Sequence, residues 1–381
     1  MRILLLSMPD SFEHTPTIAI RIPNGALVSL AGNLDPHHQV AIADLVLAQS
    51  SVRRTIEHLI DQHRPDLVGL SVMTFQRATA RRVIALIRSL KPDVRFVIGG
   101  YEPSLAPEAW THPDLGVDFI VRGEGDVTFR ELVRALESGR RFGEIAGLLY
   151  RDGEEFRKTP HREAARLDRD DIRPPNRAAR ALSGYTMMGR PIDVVETSRG
   201  CTFDCSFCSI IEMRGRNFFR FPIARVIDDI RDARDRGARS IFLVDDNITL
   251  DVDRFESLCH AIIDAGLHRI DYLVQGMTAP IASRGDALAA LMRRAGFRYV
   301  FLGIENVLDD DLVFLKARAK NSRLNSAGRT NTSLAAVNVL RRHGMLVVGG
   351  LIVGNPGDRR ESVVANLEFA KRHVDWPYIQ H

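Results

Sequence analysis

The chain has 381 residues, 45% of them hydrophobic, with 52 basic against 48 acidic side chains and a net charge of +4. Its length points to two or three domains and its composition to a soluble globular protein. Arginines such as Arg77, Arg81, Arg82 and Arg88, or Arg231, Arg234 and Arg236, are spread along helices and fit solvated faces rather than a nucleic-acid footprint, and no run approaches the roughly 18 apolar residues of a membrane span.

From residue 1 to about 140, short apolar runs alternate with amphipathic stretches. Runs 3–6, 40–45, 67–72, 96–98 and 119–121 read as strands, and 81–90 and 128–136 as helices. This alternation predicts a parallel, doubly wound sheet, whose ligands bind beyond the carboxyl ends of the strands. That rim takes in residues 8–10, Ser71 to 74, Gly99-Gly100 to 103, and Gly123-Glu124 to 126. The glycine pair would let a ligand approach the backbone, although a tight turn alone also explains it. No Gly-x-Gly-x-x-Gly follows the first strand, so a nicotinamide-binding reading fails. His37-His38, after Asp35-Pro36, reads as a solvated turn before a strand.

Residues 145–156 read as a hairpin turning at Asp152-Gly153, and the proline-containing stretch 171–176 as a linker. Residues 185–190 are expected to cover the mouth of the domain that follows. The expected division is 1–140, 141–190 and 191–381.

In the back half, strand 192–197 leads into Cys201, Cys205 and Cys208, spaced C-x3-C-x2-C. Helix 223–236 and strands 240–244, 272–275, 299–303 and 345–353 follow. Repeated strand–helix units predict a full or partial parallel barrel with its chemistry at the C-terminal strand ends. The cysteine loop, Asp245-Asp246, Gln275, Glu305 and Gly354-Asn355-Pro356 all fall there. Three thiolates in one loop can hold three corners of an iron–sulfur cube and leave the fourth iron open. A structural zinc wants four ligands. The remaining cysteine, Cys259, sits in a helical stretch as an ordinary buried thiol. Four cysteines in all, three of them crowded together, argue against a disulfide framework and for a reducing cytoplasm. The opening residues 1–7 are too short for a signal-peptide core.

The loop Ser198-Arg199-Gly200-Cys201-Thr202-Phe203-Asp204-Cys205-Ser206-Phe207-Cys208 resembles the signature of the radical S-adenosylmethionine (SAM) enzymes. The resemblance implies that these cysteines hold a 4Fe-4S cluster whose open iron binds the amino and carboxylate groups of SAM. One electron then cleaves SAM to a 5′-deoxyadenosyl radical. Gly303-Ile304-Glu305-Asn306 resembles the family's Gly-Ile-Glu-Ser segment, so Glu305 is expected to meet the ribose hydroxyls or the methionyl ammonium. Gly350-Leu351-Ile352-Val353-Gly354 resembles the Gly-x-Ile-x-Gly strand that packs on adenine, to which Phe207 would lend backbone groups. Asp245 and Gln275 complete the expected SAM set, with a helix cap as the other reading of Asp245.

In the front half, Ser71, Gly99 and Gly100 resemble the cobalamin-binding fold. Arg122-Gly123-Glu124-Gly125-Asp126 resembles the Gly-Glu-Gly-Glu turn of cobalamin-domain radical SAM proteins. The Asp-x-His-x-x-Gly string that supplies a cobalt ligand in many cobalamin domains is absent, since Asp10 and His14 are too far apart. Cobalamin is therefore expected to bind without a histidine, or to have been lost. The fold class implied is an N-terminal doubly wound, Rossmann-like cobalamin-binding domain followed by a partial (β/α)6 TIM-type radical SAM barrel. The barrel is expected to be incomplete near its sixth strand, at 375–381. The function implied is C-methylation of an unactivated carbon, with SAM as the source of both radical and methyl group. Alternatives are a cyclase or rearrangement enzyme without methyl transfer, or a degenerate corrinoid- or metal-binding protein. Methylthio transfer is disfavoured, because no cysteine precedes Cys201. Expected partners are a small-molecule or natural-product substrate and a reductant such as flavodoxin or ferredoxin.

Overall fold

Ile3, Leu4, Leu5 and Leu6 are all buried, yet they serve two cores. Strand β1 (Arg2–Ser7) sends Leu4 and Leu6 to one side of its sheet, with Val68, Leu70, Phe96 and Ile98. Ile3 and Leu5 go to the other side, with Ile42, Val97 and Phe119. A strand covered on both faces reads as an unbroken apolar run rather than an alternation. Each such side chain contributes roughly 1.5–3 kcal/mol on burial. The protein is seen here as a computed structural model that describes residues 1–10, 19–163, 171–325 and 328–381. It divides into two units, Met1–Pro191 with Glu212–Gly215, and Ile192–Ile211 with Arg216–His381.

In the first unit β1 is joined by β2 (Gln39–Asp44), β3 (Leu67–Ser71), β4 (Arg95–Gly99), β5 (Phe119–Val121), β6 (Leu148–Asp152) and β7 (Glu155–Lys158), in the order β2-β1-β3-β4-β5-β6-β7. The first five are parallel and the last two form an antiparallel hairpin. Helices α1 (Gly25–Asn33), α2 (Val52–His63), α3 (Arg77–Leu90) and α4 (Gly125–Ser138) connect them. The doubly wound sheet is the one expected from the sequence. Helices α3 and α4 begin earlier than their apolar periodicity announces, because polar contacts hold their first turns. Asp126 in α4 accepts hydrogen bonds from Ser29 and Asn33 of α1.

The stretch read as a linker is docked instead. Asn33 Oδ1 accepts from the Arg173 amide at 2.9 Å, and the Asn176 amide donates to the Val28 carbonyl at 2.9 Å. Thr186–Met187 pairs with Ile20–Arg21 and with Arg190-Pro191, all in the first unit.

In the second unit, β8 (Arg190–Val195, from Ile192 onward), β9 (Ser240–Leu243), β10 (Asp271–Met277), β11 (Phe297–Glu305), β12 (Leu346–Ile352) and β13 (Trp376–Gln380) lie side by side in that order, all parallel. The helices between them are α5 (Ile223–Asp235), α6 (Val252–Asp264), α7 (Thr278–Ala295, two pieces meeting at Gly285), α8 (Ser333–Arg342) and α9 (Arg360–His373). Val300, Leu302, Ile304, Val347 and Leu351 are fully buried on one face. Tyr299, Phe301, Gly303, Val348 and Ile352, which alternate with them, are half-buried on the other. Among the described residues no helix is long and apolar enough to cross a membrane.

Candidate functional site

The loop after β8 carries Cys201, Cys205 and Cys208 as free thiols. Gly200 enters it with φ +87°, and a Cβ there would lie 2.5 Å from the Asn217 carbonyl oxygen, so only glycine fits. Its amide donates to Asp246 Oδ2 at 2.7 Å. Asp245, at the end of β9, is buried and accepts from the Thr197 amide at 2.7 Å, from the Thr197 hydroxyl at 2.6 Å and from the Ser198 hydroxyl. Burial pushes its carboxyl up to about 6 against the pull of those donors. Arg254 of α6 donates to the carbonyls of Thr197 at 3.0 Å and Phe221 at 2.7 Å. Asp245 thus anchors the cysteine loop, and the cap of α6 is Asp251, which accepts from the Arg254 amide at 3.1 Å.

The Asn247 side-chain amide lies 3.6 Å from Cys201 Sγ. Cys205 sits among Leu312, Leu315 and Ala317, with Cys208 and Ile352 packed beside it. Burial pushes the Cys205 thiol up to about 11 and that of Cys208 upward as well, so metal loading must release protons. Cys259 is buried in α6, apart from the loop. Three free thiols on a loop tied down by Asp245 and Asp246 fit a cubane with one iron left open, and leave a structural zinc one ligand short.

Glu305, the last residue of β11, is buried and has φ +60°, an uncommon backbone for a side-chain-bearing residue. The next residue fixes it there. Asn306 Nδ2 donates to the Ile352 carbonyl at 3.2 Å, and Oδ1 accepts from the Leu308 amide at 2.9 Å and from Asn366 Nδ2 at 3.0 Å. Asn366, on α9, accepts in turn from the Val307 amide at 3.0 Å.

The carboxylate of Glu305 is ion-paired with Lys320, whose side chain is only 14% exposed. Burial pulls the Lys320 ammonium down, but Glu305 and the thiols of Cys205 and Cys208 outweigh it, and the net shift is upward. Lys320 Nζ also stands 5.2 Å from the centre of the half-exposed Phe207 ring. Gln275, Gly350 and Ile352 lie on the same sheet face as Phe301, with Gly350 against the Phe301 ring, and Gly354 follows the end of β12. Phe207, Glu305, Ile352 and the cysteines are therefore brought together. Sequence reasoning missed Lys320, Asn247 and Asn366. Lys320 reads as one more cation in a basic run, and nothing in its own neighbourhood marks it as buried.

In the first unit the strand order reverses between β1 and β3, and that is where a ligand crevice opens in such sheets. Asp44, deeply buried at the end of β2, accepts from Ser7 at 2.6 Å, Tyr185 at 2.6 Å and the Asn24 amide at 3.3 Å. Asn24 Nδ2 donates to Ser71 Oγ at 3.3 Å. Gly100 has φ +100°, and a Cβ on it would meet the Val72 carbonyl oxygen at 2.8 Å. Ser104 Oγ donates to the Gly100 carbonyl at 2.6 Å and accepts from the Gly123 amide at 3.0 Å, so Gly99-Gly100 and Gly123 share one rim. Glu124 is buried and ion-paired with Arg214 of the same unit. Asp10, just past β1, accepts from the Thr79 hydroxyl at 3.1 Å through Oδ1, and its Oδ2 has no hydrogen-bond partner among the described residues. His14 lies outside the described residues, and His37-His38 stands at the opposite end of the strands, before β2.

A model of the B12 binding domain matches residues 17–133, and one of the Radical SAM superfamily matches residues 195–370. An uncharacterised methyltransferase of Pyrococcus horikoshii is 30% identical over 100% of this chain and 80% of its own length. The anaerobic magnesium-protoporphyrin IX monomethyl ester cyclase of Synechocystis sp. is 28% identical over 91% of the chain and 67% of its own length. Among solved structures, the radical SAM methyltransferase TsrM of Kitasatospora setae superposes with a TM-score of 0.79 at 21% identity, covering 100% of this chain and 73% of its own. That likeness is one of fold. TsrM has been solved with tryptophan and a SAM analogue, and with cobalamin and a [4Fe-4S] cluster.

Proposed function

The chain belongs to the radical SAM enzymes that carry an N-terminal cobalamin-binding domain, and from that premise we propose that it methylates an unactivated carbon of a small molecule. The observation that carries the reading is the meeting of Cys205, Cys208, Lys320 and Glu305 at the C-terminal edge of six parallel strands. When bound, the cluster supplies the electron that opens SAM, and cobalamin supplies the methyl carrier. The chain's own residues do the rest. Cys201, Cys205 and Cys208 hold three irons. Lys320 offsets thiolate charge and keeps Glu305 aimed as an acceptor for hydroxyl or ammonium donors. Gly350 and Ile352 offer a flat, apolar strand face to adenine, and Phe207, Gln275 and Gly354 border it. Asp245 holds the loop. Ser71, Gly99, Gly100, Gly123 and Glu124 form the corrinoid rim. A one-electron protein donor of the flavodoxin or ferredoxin class, in the cytoplasm, completes the scheme.

The test is anaerobic loading of the full chain with iron, sulfide and hydroxocobalamin, followed by reduction in the presence of SAM. Release of 5′-deoxyadenosine above a Cys205→Ala control supports the reading, and its absence overturns it. A second reading, radical cyclisation without methyl transfer, is kept because one relative is named a cyclase. SAM labelled in its methyl group separates the two, since only methylation carries label into the product.

A further inference from the structure

Three metal-binding side chains converge at the end of the first unit's strands away from the rim. His37 and His38 stand in the turn before β2, and Glu137 in the last turn of α4. Their ligand atoms all lie within 4.8 Å of one another, the one such group among the described residues. Glu137 Oε1 lies 3.3 Å from His37 Nε2 and 3.5 Å from His38 Nδ1. The Met1 nitrogen stands 3.3 Å from His38 Nδ1 and 3.3 Å from Glu137 Oε1. A four-coordinate zinc with ligands about 2.0–2.1 Å away sets its donor atoms roughly 3.3–3.4 Å apart. The measured separations straddle that edge length.

Two imidazoles and a carboxylate are also donors that zinc takes readily. One of them is rigidly placed: the His38 side chain is fully enclosed, while His37 and Glu137 remain open enough for an ion to enter.

We propose that His37, His38 and Glu137 form a zinc site, with water at the fourth corner. The ion fastens the end of α4 to the turn before β2. Its place opposite the rim makes it a staple of the first sheet and no part of the chemistry at the strand ends.

The full chain, loaded with iron and sulfide so that Cys201, Cys205 and Cys208 are occupied, is titrated with Zn²⁺ against a chromophoric chelator. The expected result is about one equivalent of Zn²⁺ bound, with affinity reduced about tenfold or more in His37→Ala and in Glu137→Gln. At one Zn²⁺ concentration, the melting temperature of the wild type should also rise more than that of either variant. His37 is largely exposed, so its removal does not threaten the fold. Equal Zn²⁺ affinity in the wild type and both variants, or no binding and no thermal shift in the wild type, overturns the proposal. The three side chains would then serve only one another, as hydrogen-bond partners.

Discussion

The two units solve the same problem with different materials. On the proposed function, each presents the carboxyl ends of parallel strands as a binding edge. On the first, the edge is made of hydroxyls, amides and glycines: Ser7, Asn24, Ser71, Gly100, Ser104 and Gly123. On the second, it is made of thiols and buried charge: Cys201, Cys205, Cys208, Glu305 and Lys320. A large prosthetic group held by shape and backbone approach asks little of side-chain identity. A metal cluster held by coordinate bonds asks for one atom type at fixed positions.

That contrast can be broken by substitution. Cys205→Ala should have the largest effect, abolishing the cluster's absorption and all SAM cleavage while hydroxocobalamin still binds. Loss of both together would mean that the two edges do not act independently. Gly100→Val places a side chain against the Val72 carbonyl in a left-handed backbone. The strain is about 1–3 kcal/mol, and equilibrium dialysis should show cobalamin binding weakened about tenfold or more with the cluster spectrum unchanged. Lys320→Met leaves the Glu305 carboxylate buried and unpaired. SAM affinity, read by calorimetry on the reduced, loaded protein, should fall about tenfold, in keeping with the roughly 1–3 kcal/mol attached to orphaning a buried polar group.

Asn366→Ala sharpens the comparison by testing support at a distance. It removes the donor to Asn306 and the acceptor for the Val307 amide, and about 1–3 kcal/mol of stability should be lost in urea unfolding. Its KM for SAM should rise as Glu305 loses its fixed backbone. The smallest effect belongs to Asp35→Asn in the first unit. The Arg134 guanidinium foremost, with Arg173 beside it, holds the Asp35 carboxyl well below the usual carboxylate range. A lowered folded-state value means that the stabilisation is fully present above the unfolded value of about 4. It fades as the pH falls toward the folded-state value. With both arginines substantially exposed, screening limits the effect to about 1 kcal/mol at neutral pH. The gap between wild type and variant should close on acidification.

The same contrast explains what could be read from the chain alone. The cysteine loop was legible because coordination dictates residue type and spacing together. The strands were legible because burial on both faces leaves unbroken apolar runs. Gln275 and Glu305 were placed at strand ends by the recurrence of strand and helix, whereas Gly350 and Ile352 were singled out by the resemblance of their strand to the family's Gly-x-Ile-x-Gly segment. Lys320 and Asn366 were not legible, since tertiary packing delivers them from helical segments 15 and 60 residues away from their partners Glu305 and Asn306. Asp245 was placed correctly at a strand end, yet its oxygens turn to Thr197 and Ser198, a choice that sequence does not encode locally. The segment 171–176 carries prolines that read as a linker, and its docking beside α1 rests on its own backbone amides and on the Arg173 guanidinium, which reaches the Leu34 carbonyl and Asp35.

The carboxylate of Asp245 knots the polypeptide ahead of Cys201 with hydrogen bonds that involve no metal ligand. An apoprotein tied in this way should be a ready receptacle: it can lose its inorganic contents to air and take them up again without refolding. Loss of the cluster to air would then be repairable by iron and sulfide, once a thiol reductant has returned the cysteines to thiols.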